Sequence, residues 1–417
     1  MVAYHYPPEG SSSGVQRTLA FSRYLPEHGW TPIVLTAQPR AYTVSRPDQL
    51  ADIPSNLTVR RAFALDAARH LAFAGRYPKF AALPDRWVSW WMGAVPAGMS
   101  LLRASGVQVI WSTYPIATAH LIGWTLHRIS GLPWIADFRD TMTEANYPPD
   151  KSQRRVYRWI ERKTMKCCSR AVFTTPGALQ LYAERYSELP PERLALIANG
   201  YDEETFAQAS QSNSDLVRHP NSQLLLVHSG VLYPEERNPT SFYNAIARLQ
   251  QTGAISPATL RVVLRNTGHD EFHRRLIQER AIEPIVRLEP ALPYREALSE
   301  MLRADGLLIF QAASCNQQIP AKVYEYLRAG RPVLALTDPK GDTAALLRSV
   351  NVGSILPLDD EQAICQGLPG FLSDIREGNA TVAGEVEARK HSRRARAAEL
   401  AALLDDISAN PTSKRTH

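Results

Sequence analysis

The sequence predicts an α/β protein of two doubly wound domains, and three observations predict it. At 417 residues the chain exceeds what one ordinary hydrophobic core organises. Hydrophobic residues at 44% and charged residues at 21% give a globular rather than a disordered composition. Short apolar, β-rich runs alternate with helix-like stretches in each half. That alternation implies right-handed crossovers onto a parallel sheet with helices on both faces.

The first half opens on a shortened strand that runs into the loop PPEGSSSG (7–14), with a helix from Val15 to His28. Strands are expected at Thr31–Ala37, Val107–Tyr114, Pro133–Phe138 and Arg170–Thr175, with helices at Val88–Ala104, Ile116–Ser130 and Lys151–Cys168. The junction falls near Leu194–Phe206, before the polar linker AQASQSNSDLVRHPNSQ (207–223). The second half repeats the pattern with strands at Leu224–Gly230, Leu260–Asn266, Ile285–Pro290, Gly306–Ala312 and Val333–Thr337. Helices are expected at Thr240–Thr252, Phe272–Ala281, Tyr294–Ala304 and Ala321–Ala329. Pro320, with φ already fixed, suits the start of the last helix, and Gly330 suits a left-handed stop. Glu385–Ile407, rich in Ala, Arg, Glu and Leu, reads as one long helix, and the last residues (408–417) read as frayed. The domains are therefore drawn at 1–200, 201–384 and 385–417.

No apolar run of about 18 residues is present, so no membrane-spanning helix is expected. The opening MVAYHYPPEG lacks the basic and apolar parts of a signal peptide, which points to the cytoplasm. Cys167, Cys168, Cys315 and Cys365 show neither C-x-x-C nor Cys/His ligand spacing, so no zinc site or disulfide framework is supported. A net charge of +6 and a pI near 9.1 favour anionic partners without choosing among nucleic acid, lipid head groups and phosphorylated substrates. No nucleic-acid-binding motif is present. Residues 60–103 are locally basic and contain DRWVSWWMGAV. Trp87, Trp90 and Trp91 beside arginines suit a membrane interface, and equally a half-buried helix whose indoles pack inside the domain.

In open α/β sheets ligands bind beyond the carboxyl ends of the strands. In the loop PPEGSSSG, Gly10 and Gly14 allow close backbone approach, and N–H groups at a helix start attract anions. A plain turn explains the same letters. In WIADFRD, Asp137 and Asp140 can orient a hydroxyl or take its proton, with Arg139 to grip phosphate, or the three form an ion-pair cluster. His120, near a helix start, can bind a polar substrate or share protons near neutral pH, or serve the core. In HSGVLYPEERNP, Ser229 and Gly230 suit a tight turn and Arg237 can reach a diphosphate. Arg265 and Asn266 mark a further strand end. Lys322 and Glu325, three apart on one helix, can form a surface ion pair.

Taken together and in order, YPPEGSSSGVQRTLAFSRYLPEHGWTPIVLT, WIADFRD, IANGYD, HSGVLYPEERNP and IPAKVYEYLRAGRPVLAL resemble bacterial glycosyltransferases of the GT-B fold. The resemblance is to the retaining, sugar-nucleotide-using family 4 group and covers roughly Tyr4 to Val352. It implies two Rossmann-like domains facing across a cleft, with a C-terminal helix crossing back to the first. It places Gly10 and Gly14 near donor phosphates and acceptor, and His120 and Asp140 near the donor sugar and acceptor. Glu325 corresponds to the second glutamate of a pair that grips the ribose hydroxyls. The first glutamate's place is taken by Gln317, a neutral amide that can still hydrogen-bond. Gly230, Arg237 and Lys322 fall in donor-binding segments, the last two as candidates for the diphosphate.

The implied reaction moves a sugar from a nucleoside diphosphate sugar to an acceptor hydroxyl with retention, in cell-surface polysaccharide or glycolipid synthesis. No metal or other cofactor is expected, in keeping with the absence of D-x-D. The implied partners are the donor and a carbohydrate or lipid-linked acceptor, with no nucleic acid; the basic, Trp-containing segment around Arg86 to Trp91 adds an inner-leaflet membrane surface. Two alternatives stand beside this: a GT-B nucleotide-sugar epimerase, and a degenerate binding or scaffold subunit.

Overall fold

The computed structural model describes residues 1–12, 14–74, 76–211 and 223–409. The chain divides into two compact units, one built from Met1–Asn199 and the final helix, the other from Gly200–Ser392.

In the first unit the order is α1 (Val15–Tyr24), β1 (Ile33–Ala37), β2 (Thr58–Ala62), α2 (Ala67–His70), α3 (Ser89–Ala104), β3 (Ile110–Thr113), α4 (Ala117–Ser130), β4 (Trp134–Phe138), α5 (Lys151–Cys167), β5 (Arg170–Phe173), α6 (Pro176–Arg185) and β6 (Leu194–Leu196). The strands β3-β4-β5-β6 form one parallel set and β1-β2 another. Val2 bridges Leu35 and Ser112 in parallel, so the first residues lie between β1 and β3. The chain leaves this strip toward β1 on one side and later β3 on the other. The loop 7–14 thus starts at the sheet's topological switch point. Every residue of β3 and β4 is buried, as parallel strands covered on both faces require.

The second unit contains α7 (Glu203–Gln211), β7 (Leu224–Ser229), α8 (Thr240–Gln251), β8 (Leu260–Arg265), α9 (Asp270–Glu279), β9 (Val286–Glu289), α10 (Tyr294–Arg303), β10 (Gly306–Gln311), α11 (Ala321–Ala329), β11 (Val333–Thr337), α12 (Asp342–Ser349), β12 (Ser354–Leu356), α13 (Glu361–Glu377) and α14 (Glu385–Lys390). Its parallel sheet runs β12-β11-β10-β7-β8-β9, which puts the switch point between β7 and β10. Leu226, Leu264, Leu308 and Leu334 from four neighbouring strands are fully buried together with Phe242, Ile246 and Ile364 from the covering helices.

The single helix expected over Glu385–Ile407 is instead two, α14 and α15 (Arg393–Ala409). They separate at His391–Ser392, where the Tyr201 N–H donates to the His391 carbonyl at 3.2 Å and Tyr201 bridges Ser392. α15 buries Ala397, Leu400, Ala401 and Leu404 against Phe21, Tyr24, Trp111 and Val172 of the first unit. Part of the expected linker, up to Gln211, is helical in α7; residues 212–222, and the expected frayed end from 410 onward, lie outside the described residues. The sequence reading also passed over β2, α2, α6, β6, α12, β12 and α13.

The tryptophans of DRWVSWWMGAV belong mainly to the domain interior. Trp90 is fully buried against Tyr4, and Trp87 packs on the same ring. The Trp91 indole N–H donates to Thr125 Oγ1 at 2.9 Å. Arg86 forms a bidentate pair with buried Asp66. Packing takes Trp87 and Trp90 from the membrane reading of this stretch, whereas Trp91 stays exposed. Among the described residues no helix is long and apolar enough to cross a membrane.

Candidate functional site

The second unit gathers its functional side chains where β7 and β10 end. Gly230, just beyond β7, has φ of +130°, a backbone conformation essentially reserved for glycine. A Cβ there would lie 2.5 Å from the Lys322 Nζ, so the missing side chain is the space that the ammonium occupies. Lys322 sits in the first turn of α11, which begins right after Pro320 and ends at Gly330 in the left-handed region (φ +60°). Its Nζ lies 3.2 Å from His228 Nε2 on β7. His228 is buried, and its Nδ1 lies 2.8 Å from the Leu308 carbonyl. Nδ1 therefore donates to that carbonyl, which leaves Nε2 to accept from Lys322.

Electrostatics follow from this packing. Desolvation, then the charge of Lys322, holds the His228 pKa well below its ordinary value, so the imidazole stays neutral. Part of the Lys322 side chain is open to solvent, but the surrounding protein desolvates its ammonium. Arg237 adds repulsion, and together they bring its pKa down to about 7 against the pull of Glu325. Arg237 donates to the Val231 carbonyl at 3.1 Å and lies 5.7 Å from the centre of the Tyr233 ring.

The ion pair between Lys322 and Glu325 does not form: Glu325 Oε1 accepts instead from the Tyr294 hydroxyl at 2.6 Å. Gln317 is exposed in the loop before α11. That loop is braced by buried Gln311, whose amide donates to the carbonyls of Cys315 at 2.7 Å and Gln318 at 2.9 Å and whose oxygen accepts from Thr343. Arg265 is taken up structurally, by Glu300 and the Pro290 carbonyl. The structure thus brings Gly230, Arg237, Lys322 and Glu325 to one strand edge. His228 and Gln311 were missed by sequence reasoning, although HSG at a strand end was a usable signal for the histidine.

In the first unit the loop after the opening strand differs from its expected role. The N–H groups of Gly10, Ser11 and Gly14 go to the Val44 carbonyl, Glu9 and Ser12 Oγ respectively, so those three are not left for an anion. Desolvation would raise the Glu9 carboxyl, but hydrogen bonds from His5 and Ser11 hold it below the usual carboxylate value. The glycines make room for arginines: a Cβ on Gly14 would lie 2.5 Å from the Arg139 guanidinium, and one on Gly10 2.6 Å from Arg46. Arg139 donates to the Gly14 carbonyl at 3.1 Å, while its Nε is buried without a partner among the described residues. The Arg139 guanidinium supplies positive charge at this edge.

The D-R-D group splits by role. Asp137 is fully buried, accepts two hydrogen bonds from Arg17 at 2.8 and 3.1 Å and a third from Thr113, and so serves the framework. Asp140 is exposed beyond the end of β4. His120 is fully buried beneath Tyr114 and Phe138, with Nδ1 2.8 Å from Ser112 Oγ. Burial lowers its pKa to about 3, which corrects the expectation that it shares protons near neutral pH. Its Nε2 is buried with no hydrogen-bond partner among the described residues.

Residues 13–200 match the family described as Glycosyl transferase 4-like domain. Among solved structures, the sucrose-phosphate synthase of Thermosynechococcus elongatus superimposes with a TM-score of 0.66 at 14% identity, covering 98% of this chain and 99% of that one. Anabaena Alr3699/HepE, solved with UDP and glucose, gives 0.65 at 12% identity, with 97% and 99% covered. A UDP-N-acetylglucosamine 2-epimerase gives 0.58 at 12% identity, with 100% and 97% covered. No curated protein matches the chain by sequence. Residues 13–200 thus form a glycosyl transferase 4-like domain, and the chain as a whole has the GT-B fold.

Proposed function

We propose that the protein transfers a sugar from a nucleoside diphosphate sugar to the hydroxyl of a carbohydrate or lipid-linked acceptor, with retention of anomeric configuration. The observation that carries this is the group of Gly230, Lys322, Arg237 and Glu325 at the switch point of the second sheet. There the two cations suit a diphosphate and the carboxylate suits a ribose diol. As the glycosidic bond breaks, negative charge builds on the departing diphosphate, and fixed cations stabilise it more than they stabilise the bound donor. His228 acts through Lys322, holding the ammonium by its lone pair and leaving its other N–H groups for phosphate. Arg139 and Asp140 lie at the corresponding edge of the first unit. The arginine suits a phosphate, and the exposed carboxylate suits an acceptor hydroxyl.

The test is a product assay with nucleotide sugars and an acceptor panel. Release of nucleoside diphosphate together with an acceptor glycoside of unchanged anomeric configuration, read by NMR, is expected. Inverted product overturns the retaining mechanism. The likeness to an epimerase fold favours one second reading, in which donor is epimerised with no acceptor present. The same NMR assay without acceptor separates the two.

A further inference from the structure

We infer that the exposed face of α5 docks the protein on an anionic phospholipid bilayer. Eight positions of this helix are exposed. Six of them are Lys151, Arg155, Arg158, Arg162, Lys163 and Lys166, and the other two are Ser152 and Trp159. Lys151, Arg155, Arg158, Arg162 and Lys166 fall in a single stripe at helical spacing, about 22 Å long at 1.5 Å per residue. None of the six exposed cations has an ion-pair partner among the described residues. The one acid of the helix, Glu161, is buried and taken by Thr143, Tyr182, Arg185 and Tyr186. The nearby acids are also engaged, Asp150 as the helix cap for the Gln153 N–H and Glu144 with Thr141.

Six unneutralised cations on one helix form an unusual solvated face, because a helix made only for solubility intersperses both signs. The stripe also has relief. A concavity of about 410 Å³ is lined entirely by Lys151, Arg154, Arg155, Arg158 and Arg162, a size and charge that suit lipid phosphates. Trp159, 40% exposed, borders the stripe and packs edge-on against Trp124 of α4 at 5.6 Å. An exposed indole flanked by cations is the pattern of a helix lying in a bilayer interface. A long, straight row suits a plane of charge better than a single small anion. α5 also starts at the carboxyl edge of its sheet, because the chain leaves parallel β4 at that edge before returning to β5. A lipid-linked acceptor held against α5 would present its head group to the edge that carries Arg139 and Asp140. The docking surface itself does not depend on the donor assignment, and the two are measured separately.

The experiment is co-sedimentation of the full chain with vesicles of phosphatidylcholine alone or with roughly 30% phosphatidylglycerol, at about 0.1 M salt. The protein is expected to pellet with the anionic vesicles only. An Arg155→Glu, Arg158→Glu, Arg162→Glu variant is expected to lose at least about 100-fold in partitioning, from about fivefold per charge. Its Tm and nucleotide-sugar binding are expected to stay unchanged. Brominated lipid is expected to quench the wild type more than a Trp159→Phe variant, which reports the indole in the interface. Equal pelleting with neutral vesicles, unchanged pelleting of the triple variant, or quenching that Trp159→Phe leaves untouched overturns the proposal. So does a single-stranded oligonucleotide that displaces the protein from vesicles at matched salt, which would make α5 a nucleic-acid surface.

Discussion

Lys322 carries the sharpest consequence at the scale of single residues. Burial, then Arg237, brings its pKa down to about 7 in the free protein, and a bound diphosphate would raise it by offsetting the repulsion from Arg237. Below pH 7 the group is already charged and donor affinity is complete. Above pH 7 binding must take up a proton, so affinity falls by up to about tenfold per pH unit until the pKa of the bound state is reached. Calorimetric titration with UDP-glucose from pH 6 to 9 measures this, and Lys322→Arg, charged throughout, is expected to flatten the profile. An identical profile in that variant assigns the titration to another group. Glu325→Ala is expected to weaken nucleotide binding at least about tenfold, as loss of a hydrogen bond to a charged acceptor does, with little change in Tm. Gly230→Ala combines backbone strain with displacement of Lys322, and is expected to lower both stability, by about 1–3 kcal/mol, and donor affinity. The sequence placed Lys322 and Glu325 on one helix face but suggested a pair between them. Spacing fixes the face and not the rotamer, and the partner of Lys322 lies 94 residues away, on β7.

Among elements, the join between α1 and β4 holds the first unit's candidate edge in place. Arg17 from α1 grips Asp137 at the end of β4 and also donates to the carbonyls of Ile197, in a buried setting, and of Ala198, in a part-buried one. Asp137→Asn keeps the shape but leaves the guanidinium without its counter-charge, at a cost of about 3–5 kcal/mol. For a unit of this size that is a fall in Tm of roughly 6–20 °C by scanning calorimetry. A loss below about 1 kcal/mol would show that the pair is not a structural clamp. Strands buried on both faces were legible as continuous apolar runs, which is why β3, β4, β7 and β10 were found from sequence. β2 was not, because TVRRA alternates exposed and half-buried positions and carries two arginines. The break between α14 and α15 left no trace in composition, since residues on both sides favour a helix. A backbone contact from Tyr201, remote in sequence, sets it.

The architecture of the whole molecule was readable because alternation of strand and helix constrains topology strongly, and the two halves alternate independently. The location of candidate ligand edges followed from that topology. Their chemistry was less legible: Gly14 was legible as a close-approach glycine, but what approaches it here is Arg139, and His120 proved to be a core residue by burial. Both outcomes depend on long-range packing that spacing alone does not encode. The central claim, that the strand edge around Gly230, Lys322 and Glu325 holds a nucleoside diphosphate sugar, is tested most directly by titrating a panel of such sugars into the full chain and into a Lys322→Met, Glu325→Ala variant. Saturable binding by the wild type and a loss of at least about 100-fold in the variant, at unchanged Tm, is the expected result. Equal affinity in the two proteins, or no binding of any nucleotide sugar to the wild type, would contradict it.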